Sequence, residues 1–338
     1  MTNQQTAIAF YCGIGEMQWN HHPVTPGSLA CVSPVYGNTT ENKQVNRVRV
    51  PSGTLVIQDS GAFSDGPGQR LTFEAALLRQ EQHAEQFGYA DLIQARASYD
   101  VLIDEMWPQG EMAGQYVRVK RRWSEMQAEQ AVAETIQAAK YLHEHRNGLA
   151  CVLSAQGVSA KQYKRCAECI LPYLRDGDLF GLGGWCITGK LPAQMMPVFR
   201  ETMHLVIPFL GREGVKHIHI WGVCYAPALG ELLWLCDQWG MHLSTDSMGP
   251  SVRPARGRWG YAEWRDRSYR RVDTDCEQVV RVKASDGSFV QLPQMRGLHR
   301  AEHVRQVRAW LAHFRTTPHY PQKQPPWLRH PRQLSLPF

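Results

Sequence analysis

Short apolar runs alternate with longer amphipathic stretches along most of this 338-residue chain, and no other feature constrains its fold as strongly. The runs have the β-rich composition and the length of buried strands, whereas the stretches between them repeat apolar residues at helical spacing. The strand-like runs are TAIAFYCG, GTLVIQDSGAF, YDVLIDEMW, GLACVLSAQG, DLFGLGGWC, KHIHIWGVCYA and MHLSTDSMG. Strands this apolar, separated by helices, predict a parallel sheet covered by helices.

The helical patterns are LTFEAALLRQEQHAEQFG, SEMQAEQAVAETIQAAKYLHEH and residues 160–174, 193–209, 228–239 and 301–314. An irregular segment rich in Pro, Gly and Asn follows the first strand, up to about Asn46. Beyond residue 316 the chain is Pro-rich and polar, which is typical of an extended tail. We therefore predict one barrel domain over 1–316, with irregular insertions, and a tail over 317–338.

A parallel sheet of this kind can stay open, as in dinucleotide-binding folds, or close into a barrel. No GxGxxG follows the first strand, which disfavours the dinucleotide-binding fold. Polar or glycine residues stand instead at the carboxyl ends of the strands, where barrel enzymes hold their chemistry. These residues are Asp59, Asp104, Gln156, Gly184, Gly222 and Asp246. The prediction is an α/β fold of the (β/α)₈ TIM-barrel class.

The composition narrows the setting of the protein. No apolar run reaches the ~20 residues that span a bilayer, and the first residues lack a secretory pattern, so we expect a cytoplasmic protein. The cysteines are odd in number, and several lie in strand-like runs, which indicates buried thiols. Cys166 and Cys169 form the one CxxC without a second pair, and His217 and His219 lack a third ligand. Packing is the favoured interpretation of both pairs, so we expect no metal and no cofactor.

An arginine-rich segment lies beyond the last strand-like run. Its arginines could contact phosphates, and its interleaved Trp and Tyr rings could stack on unpaired bases, although a solvated basic loop is the alternative. The candidate nucleic-acid contacts are Arg253, Arg256, Arg258, Arg265, Arg267, Arg270, Arg271 and Trp259. The formal charge of +6 is compatible with a polyanionic partner but does not require one.

Two aspartates at strand ends suggest glycosidic chemistry. Asp59 and Asp246 are distant in sequence, yet strand ends converge above a barrel. One carboxylate could attack C1′ of a sugar while the other exchanges a proton with the leaving group. Asp104 and Gln156 could bind the donor edge of a purine. A helix cap or a turn is the alternative explanation for each aspartate alone.

Six segments, in order, resemble the tRNA-guanine transglycosylase superfamily between about Gly53 and Arg258. QDSGAFS is similar to its DSGG-aromatic-Q motif, VLIDEMW to its FDEC strand end, and SAQGV to its VQGG. FGLGGWCITGK resembles the GG-x-x-x-GE segment, HIWGV the MGVG wall, and STDSMGPSVRPARGR the stretch D-C-x-x-P-T-R-x-G-R. Each motif is weak alone, but six in the right order form a specific pattern.

The resemblance implies a role for each matched residue. It makes Asp246 the nucleophile, Asp59 the general acid and base, and Phe63 the ring that stacks on the bound base. It also assigns the base contacts, which would be Ser60, Asp104, Gln156 and the backbone NH groups of Gly183 and Gly184.

Departures from the family motifs favour DNA over tRNA as the substrate. The tRNA enzymes carry a C-x-C-x-x-C…H zinc site soon after the nucleophile, whereas that interval here holds only Cys276. A compact version without zinc resembles the deazapurine-in-DNA transglycosylases of phages and bacterial genomic islands. This resemblance implies that guanine in DNA is exchanged for a 7-deazaguanine of the preQ0 or preQ1 type.

The final peptide, QLSLPF, resembles the segment by which bacterial replication and repair proteins bind the sliding clamp. Gln333 would supply a polar anchor, and Leu334, Leu336 and Phe338 would complete the apolar contact. Docking of this peptide on its own barrel is the alternative.

Three rival functions of the protein also stay open, namely exchange on tRNA, nucleic-acid binding without catalysis, and glycoside hydrolysis.

Overall fold

Eight parallel strands form the centre of the computed structural model. The structure describes residues 8–14, 29–35, 50–63, 65, 70–101, 105–109, 112–119, 124–186, 192–247, 261–265, 268–272, 282–283 and 289–290. The barrel strands are β1 (Ile8–Ile14), β2 (Leu29–Val32), β3 (Leu55–Gln58), β4 (Ile93–Ala97), β5 (Ala150–Ala155), β6 (Leu179–Leu182), β7 (His217–Ile220) and β8 (His242–Ser247).

Each strand pairs with the strands before and after it in the chain, and β8 returns to pair with β1. In that closing pair Ile8 stands opposite Leu243, and Tyr11 stands opposite Asp246. All carboxyl ends therefore meet at one face of a closed barrel. The predicted (β/α)₈ TIM-barrel architecture is confirmed.

Within the described ranges, helices follow five of the strands and cover the barrel. They are α1 (Phe73–Gln86), α2 (Glu125–Glu144), α3 (Ala160–Ile170), α4 (Pro192–Arg212) and α5 (Ala226–Gln238). Side chains of Thr72, Ser124 and Ser159 accept backbone N–H bonds at the starts of α1, α2 and α3, as N-cap residues do. The sequence patterns predicted all five helices to within a few residues.

Two apolar layers hold the architecture together. Tyr11, Ile57, Ala95 and Val152 belong to one cluster of strand residues. A larger cluster joins strand residues such as Phe180 and Leu182 to helix residues such as Phe199. Burial of this apolar surface is the main stabilising contribution to such a fold. No helix within the described residues is both long and apolar enough to span a membrane.

Two strand predictions were wrong. β2 lies inside the segment predicted to be irregular, because four residues are too few to show periodicity. The third predicted strand, YDVLIDEMW, is displaced, since the barrel strand is IQARA and Glu105–Gln109 instead pairs antiparallel with Met112–Val119. IQARA carries a buried Arg96, and this charged residue interrupts the apolar pattern by which a buried strand is predicted. Arg96 Nε donates to Gln58 Oε1 at 3.0 Å and Nη1 to Glu81 Oε1 at 3.2 Å.

The predicted helix at 301–314 and the tail at 317–338 lie outside the described residues. Of the arginine-rich segment, the structure describes only the backbone of two antiparallel strands, Tyr261–Arg265 and Ser268–Val272. Arg265, Arg270 and Arg271 lie on this hairpin. The remaining candidate contacts, Arg253, Arg256, Arg258, Arg267 and Trp259, lie outside the described residues.

Candidate active site

Asp59 follows β3 at the carboxyl face of the barrel. Its backbone N–H donates to Val32 O at 2.8 Å, and its Oδ1 accepts the N–H of Ser60 at 2.8 Å. Burial, the negative charge of Asp246 and, to a smaller extent, that of Asp100 raise the pKa of Asp59 to about 6, while hydrogen bonds from Ser33 and Ser60 oppose the rise. A carboxyl group with this pKa can both donate and accept a proton near neutral pH.

Asp246 lies near the end of β8, and its side chain is 15% exposed. The backbone N–H of Gly222 donates to its Oδ1 at 2.7 Å, and His219 Nε2 lies 3.4 Å from the same oxygen. The charge of Asp246 is the second largest cause of the raised pKa of Asp59. The two carboxylates predicted to converge therefore interact electrostatically at one face of the barrel.

Asp100 and Gln156 form a buried polar pair beside these carboxylates. Gln156 Nε2 donates to Asp100 Oδ2 at 2.6 Å. The opposite amide atom, Gln156 Oε1, is buried and has no hydrogen-bond partner among the described residues. A buried acceptor without a partner costs free energy until a donor reaches it. A ligand with N–H donors on one edge would satisfy it.

The sequence analysis did not identify Asp100 and assigned a base contact to Asp104, which stays a prediction. Asp100 was missed because of the displaced strand, since it is the third residue after β4 and stands at its carboxyl end. Asp104 lies outside the described residues. The signal was present in the sequence as SYD directly after IQARA.

Gly183 and Gly184 follow β6, but they do not serve the site in the same way. The N–H of Gly183 donates to Ala155 O at 3.1 Å, so the prediction that this group holds a base carbonyl is wrong. Gly183 instead provides space, because a Cβ there would lie 1.9 Å from Gln156 Nε2. Its carbonyl accepts the Tyr163 hydroxyl at 2.7 Å. Gly184 has a φ of +78°, which favours glycine, and keeps its predicted role as a hypothesis.

The loop after β3 carries the other predicted base contacts, Ser60 and Phe63. Phe63 is 49% exposed, and its predicted stacking on the base stays a prediction. Ser60 is buried and shapes the turn, since its Oγ accepts the N–H of Ala62 at 3.3 Å. Its carbonyl accepts Arg79 Nη2 at 2.9 Å. Ser60 is therefore placed to support Asp59.

Arg79 of α1 anchors the loop that follows β3. It forms a two-pronged ion pair with Asp65, at 2.9 and 2.8 Å, and Tyr99 donates to the same carboxylate at 2.6 Å. Gly61 has a φ of +78°, and a Cβ there would lie 2.7 Å from Arg79 Nη2. The glycine is required both by the turn and by the close approach of the guanidinium.

His219 and Ser33 are further site residues that the sequence analysis missed. His219 was interpreted as an ordinary packed or surface histidine, but it is fully buried beside Asp246. Ser33 follows β2, the strand hidden in the irregular segment. No group of three or more metal-ligating side chains occurs within the described ranges. Cys166 is buried and Cys169 exposed on α3.

Comparisons with known proteins give no further information about the chemistry of this site. No family model matches the chain, and no curated protein is significantly similar to it. One solved structure that resembles it is described as a candidate fructose-1,6-biphosphate aldolase from Coccidioides immitis. The two are 10% identical over 91% of this chain and 92% of the other, with a TM-score of 0.39. A likeness this distant indicates nothing about substrate or chemistry.

Proposed function

We propose that the protein is a DNA-guanine transglycosylase, a pentosyltransferase that exchanges guanine in DNA for a 7-deazaguanine. The observation that carries the proposal is the placement of Asp59 after β3 and Asp246 near the end of β8, at the same face of the barrel, where the charge of Asp246 helps to raise the pKa of Asp59. Retaining glycosidic chemistry needs two such carboxyl groups, one as nucleophile and one as proton donor. Their environments differ, since the N–H of Gly222 binds Asp246 while burial favours a protonated Asp59.

In the first displacement, Asp246 attacks C1′ of the target nucleotide. The C1′–N9 bond breaks, its electron pair stays on the base, and Asp59 donates a proton to the departing guanine. The product is an ester between the sugar and Asp246. The raised pKa of Asp59 supports its role as the acid, because a large fraction of it carries a proton near pH 6.

In the second displacement, the incoming base loses its proton to Asp59 and its N9 attacks C1′. The bond between C1′ and Asp246 breaks, and the carboxylate is released. Two inversions at C1′ retain the configuration. Both half-reactions use the same pair of carboxyl groups, and protons and charges balance without a cofactor.

The Asp100–Gln156 pair supports a guanine-like base as the substrate. Guanine presents N1–H and an exocyclic amine on one edge, and 7-deazaguanines keep that edge. Gln156 Oε1 is an acceptor that lacks a donor among the described residues. The carboxylate of Asp100 fixes the amide in this orientation. A base without donors at this edge would leave a buried acceptor unpaired, which is strongly disfavoured.

DNA is proposed rather than tRNA because the expected zinc ligands are missing from the sequence and the chain carries a clamp-like QLSLPF peptide. A paired guanine must leave the stack to reach the barrel face, which costs a few kcal/mol. The arginine-rich segment, Arg253–Arg271, is proposed to bind the DNA phosphates during this step. The sliding clamp is the proposed protein partner of residues 333–338.

Transfer of labelled preQ0 into DNA and into tRNA tests the proposal. We expect incorporation into DNA, detected as a modified deoxynucleoside by mass spectrometry of the digested product. Incorporation into tRNA alone would assign the protein to the RNA branch. Binding of DNA without incorporation by any guanine-like base would favour a non-catalytic homologue. Release of free sugar from glycosides would favour a hydrolase.

A further inference from the structure

His219 is a fully buried histidine that lies beside the proposed nucleophile, Asp246. Its Nε2 makes no hydrogen bond with any described residue and lies 3.4 Å from Asp246 Oδ1. Trp221 and Tyr11 pack edge-on against the imidazole, with ring centroids 4.3 and 5.9 Å away. The ring is therefore held in place by packing, with Nε2 3.4 Å from a carboxylate oxygen.

Ser244 contacts the other ring nitrogen and constrains where the hydrogens lie. Its Oγ is 2.8 Å from His219 Nδ1 and 3.2 Å from Ile218 O. If Ser244 donates to Nδ1, the neutral ring carries its hydrogen on Nε2. If Ser244 donates to Ile218 O instead, its oxygen accepts a hydrogen bond from Nδ1–H. Nε2 must then carry a second ring hydrogen in order to donate to an ionised carboxylate. Either way, an ionised Asp246 favours a hydrogen on Nε2.

We propose that His219 is a positioning residue for Asp246, and the inference rests on the proposed function. In the reacting complex, Nε2–H closes from 3.4 Å to donate to Oδ1 beside the N–H of Gly222, which leaves Oδ2 to attack C1′. Once the ester forms at Oδ2, Oδ1 is its carbonyl oxygen. In the second displacement the C1′–Oδ2 bond breaks, its electron pair passes to the carboxylate, and the two donors stabilise the returning charge.

This arrangement predicts unequal effects on the two half-reactions. The donors stabilise the free carboxylate, so their loss makes Asp246 a better nucleophile but a poorer leaving group. Loss of the His219 donor should therefore slow decay of the covalent intermediate more than its formation. A residue that only fills space would affect both steps through the stability of the fold.

The matched pair His219→Gln and His219→Asn tests the proposal. The Gln amide reaches about as far as Nε2 and can donate to Asp246, whereas the Asn amide reaches only as far as Nδ1. The covalent protein–DNA adduct is formed with guanine-containing DNA, chased with preQ0, and followed on denaturing gels. We expect the chase to be roughly tenfold slower in the Asn variant, with more adduct at steady state, and close to wild type in the Gln variant.

Equal chase rates in the wild type and both variants would overturn the role of His219 and leave the proposed function intact. Equal slowing in Gln and Asn, matched by equal losses of thermal stability, would reduce His219 to packing and also overturn the role. A wild-type protein that forms neither adduct nor exchange product would overturn the proposed function itself. Should both variants unfold, Ser244→Ala keeps the imidazole and removes the hydroxyl that contacts Nδ1 and Ile218 O. A slower chase in that variant supports the role, and an unchanged chase overturns it.

Discussion

Gln156 Nε2 donates to Asp100 Oδ2 at 2.6 Å, and this contact determines that the amide oxygen, rather than the amide nitrogen, is left without a partner among the described residues. The pair can therefore accept hydrogen bonds from a ligand edge that carries N–H groups. Guanine and its 7-deaza relatives have such an edge, whereas hypoxanthine lacks the exocyclic amine. Selectivity for the base is thus proposed to reside in a pair of side chains from the segments that follow β4 and β5.

Asp100→Asn should weaken preQ0 binding by at least about tenfold, because the amide can turn its nitrogen toward Gln156 and reverse the preferred orientation there. Calorimetric titration with preQ0 measures the effect. Asp104→Asn is the matched control, since the sequence motif alone assigned the base contact to Asp104. A loss of affinity in the Asp104 variant with full affinity in the Asp100 variant would restore the motif-based assignment.

Gly183→Ala should destabilise the protein by about 1–3 kcal/mol, because the added Cβ would lie within contact distance of Gln156 and force it to move. Urea unfolding gives the free energy. The double variant Gly183→Ala/Gln156→Ala should lose less stability than the sum of the single losses, since truncation of Gln156 removes the atom that clashes. Strict additivity would contradict the proposed steric conflict.

Asp59→Asn should stabilise the fold at pH 7 by on the order of 2 kcal/mol while it abolishes exchange. The pKa of Asp59 rises from 3.8 to about 6 on folding, so the wild type has no penalty below pH 3.8 and the full penalty above pH 6. Unfolding free energies of the two proteins should therefore diverge between pH 4 and pH 6. Asp91→Asn, at an exposed carboxyl away from the site, is the matched control for the substitution.

Asp246→Asn should eliminate the covalent adduct and lower exchange by at least about three orders of magnitude, because an amide is a poor nucleophile toward C1′. Denaturing gels report the adduct, and isotope exchange of guanine reports turnover. The variant should still bind preQ0, as the Asp100–Gln156 pair is unchanged. Full exchange activity with Asn at this position would remove Asp246 from the mechanism.

Most of the barrel was predictable from the sequence because its strands are apolar and its helices are amphipathic. Asp59, Gln156 and Asp246 could be placed at one face because carboxyl ends of parallel strands always meet there. This placement depends only on where the strands end and on no detail of packing, so the wrong strand predictions elsewhere in the chain did not affect it.

The remaining site residues depend on features that local patterns do not show. β4 contains a buried arginine whose partners, Gln58 and Glu81, lie far away in sequence. The strand was therefore missed, and Asp100 with it. His219 is a plain strand histidine in the sequence, and only the pairing of β7 with β8 brings it to Asp246. The NH of Gly183 is engaged by a carbonyl of the neighbouring strand, which no motif reveals.

Gln80 of α1 donates from one amide nitrogen to two backbone carbonyls, those of Asp59 at 3.0 Å and Ala97 at 3.1 Å. One buried side chain thus joins the segment that bears Asp59, the proposed proton donor, to the segment that leads to Asp100, the proposed base contact. A shift of one segment strains the hydrogen bond to the other. Under the proposed function, movement of β4 to change the base preference would also disturb the proton donor, so new specificities should arise by replacement of side chains on an unchanged backbone.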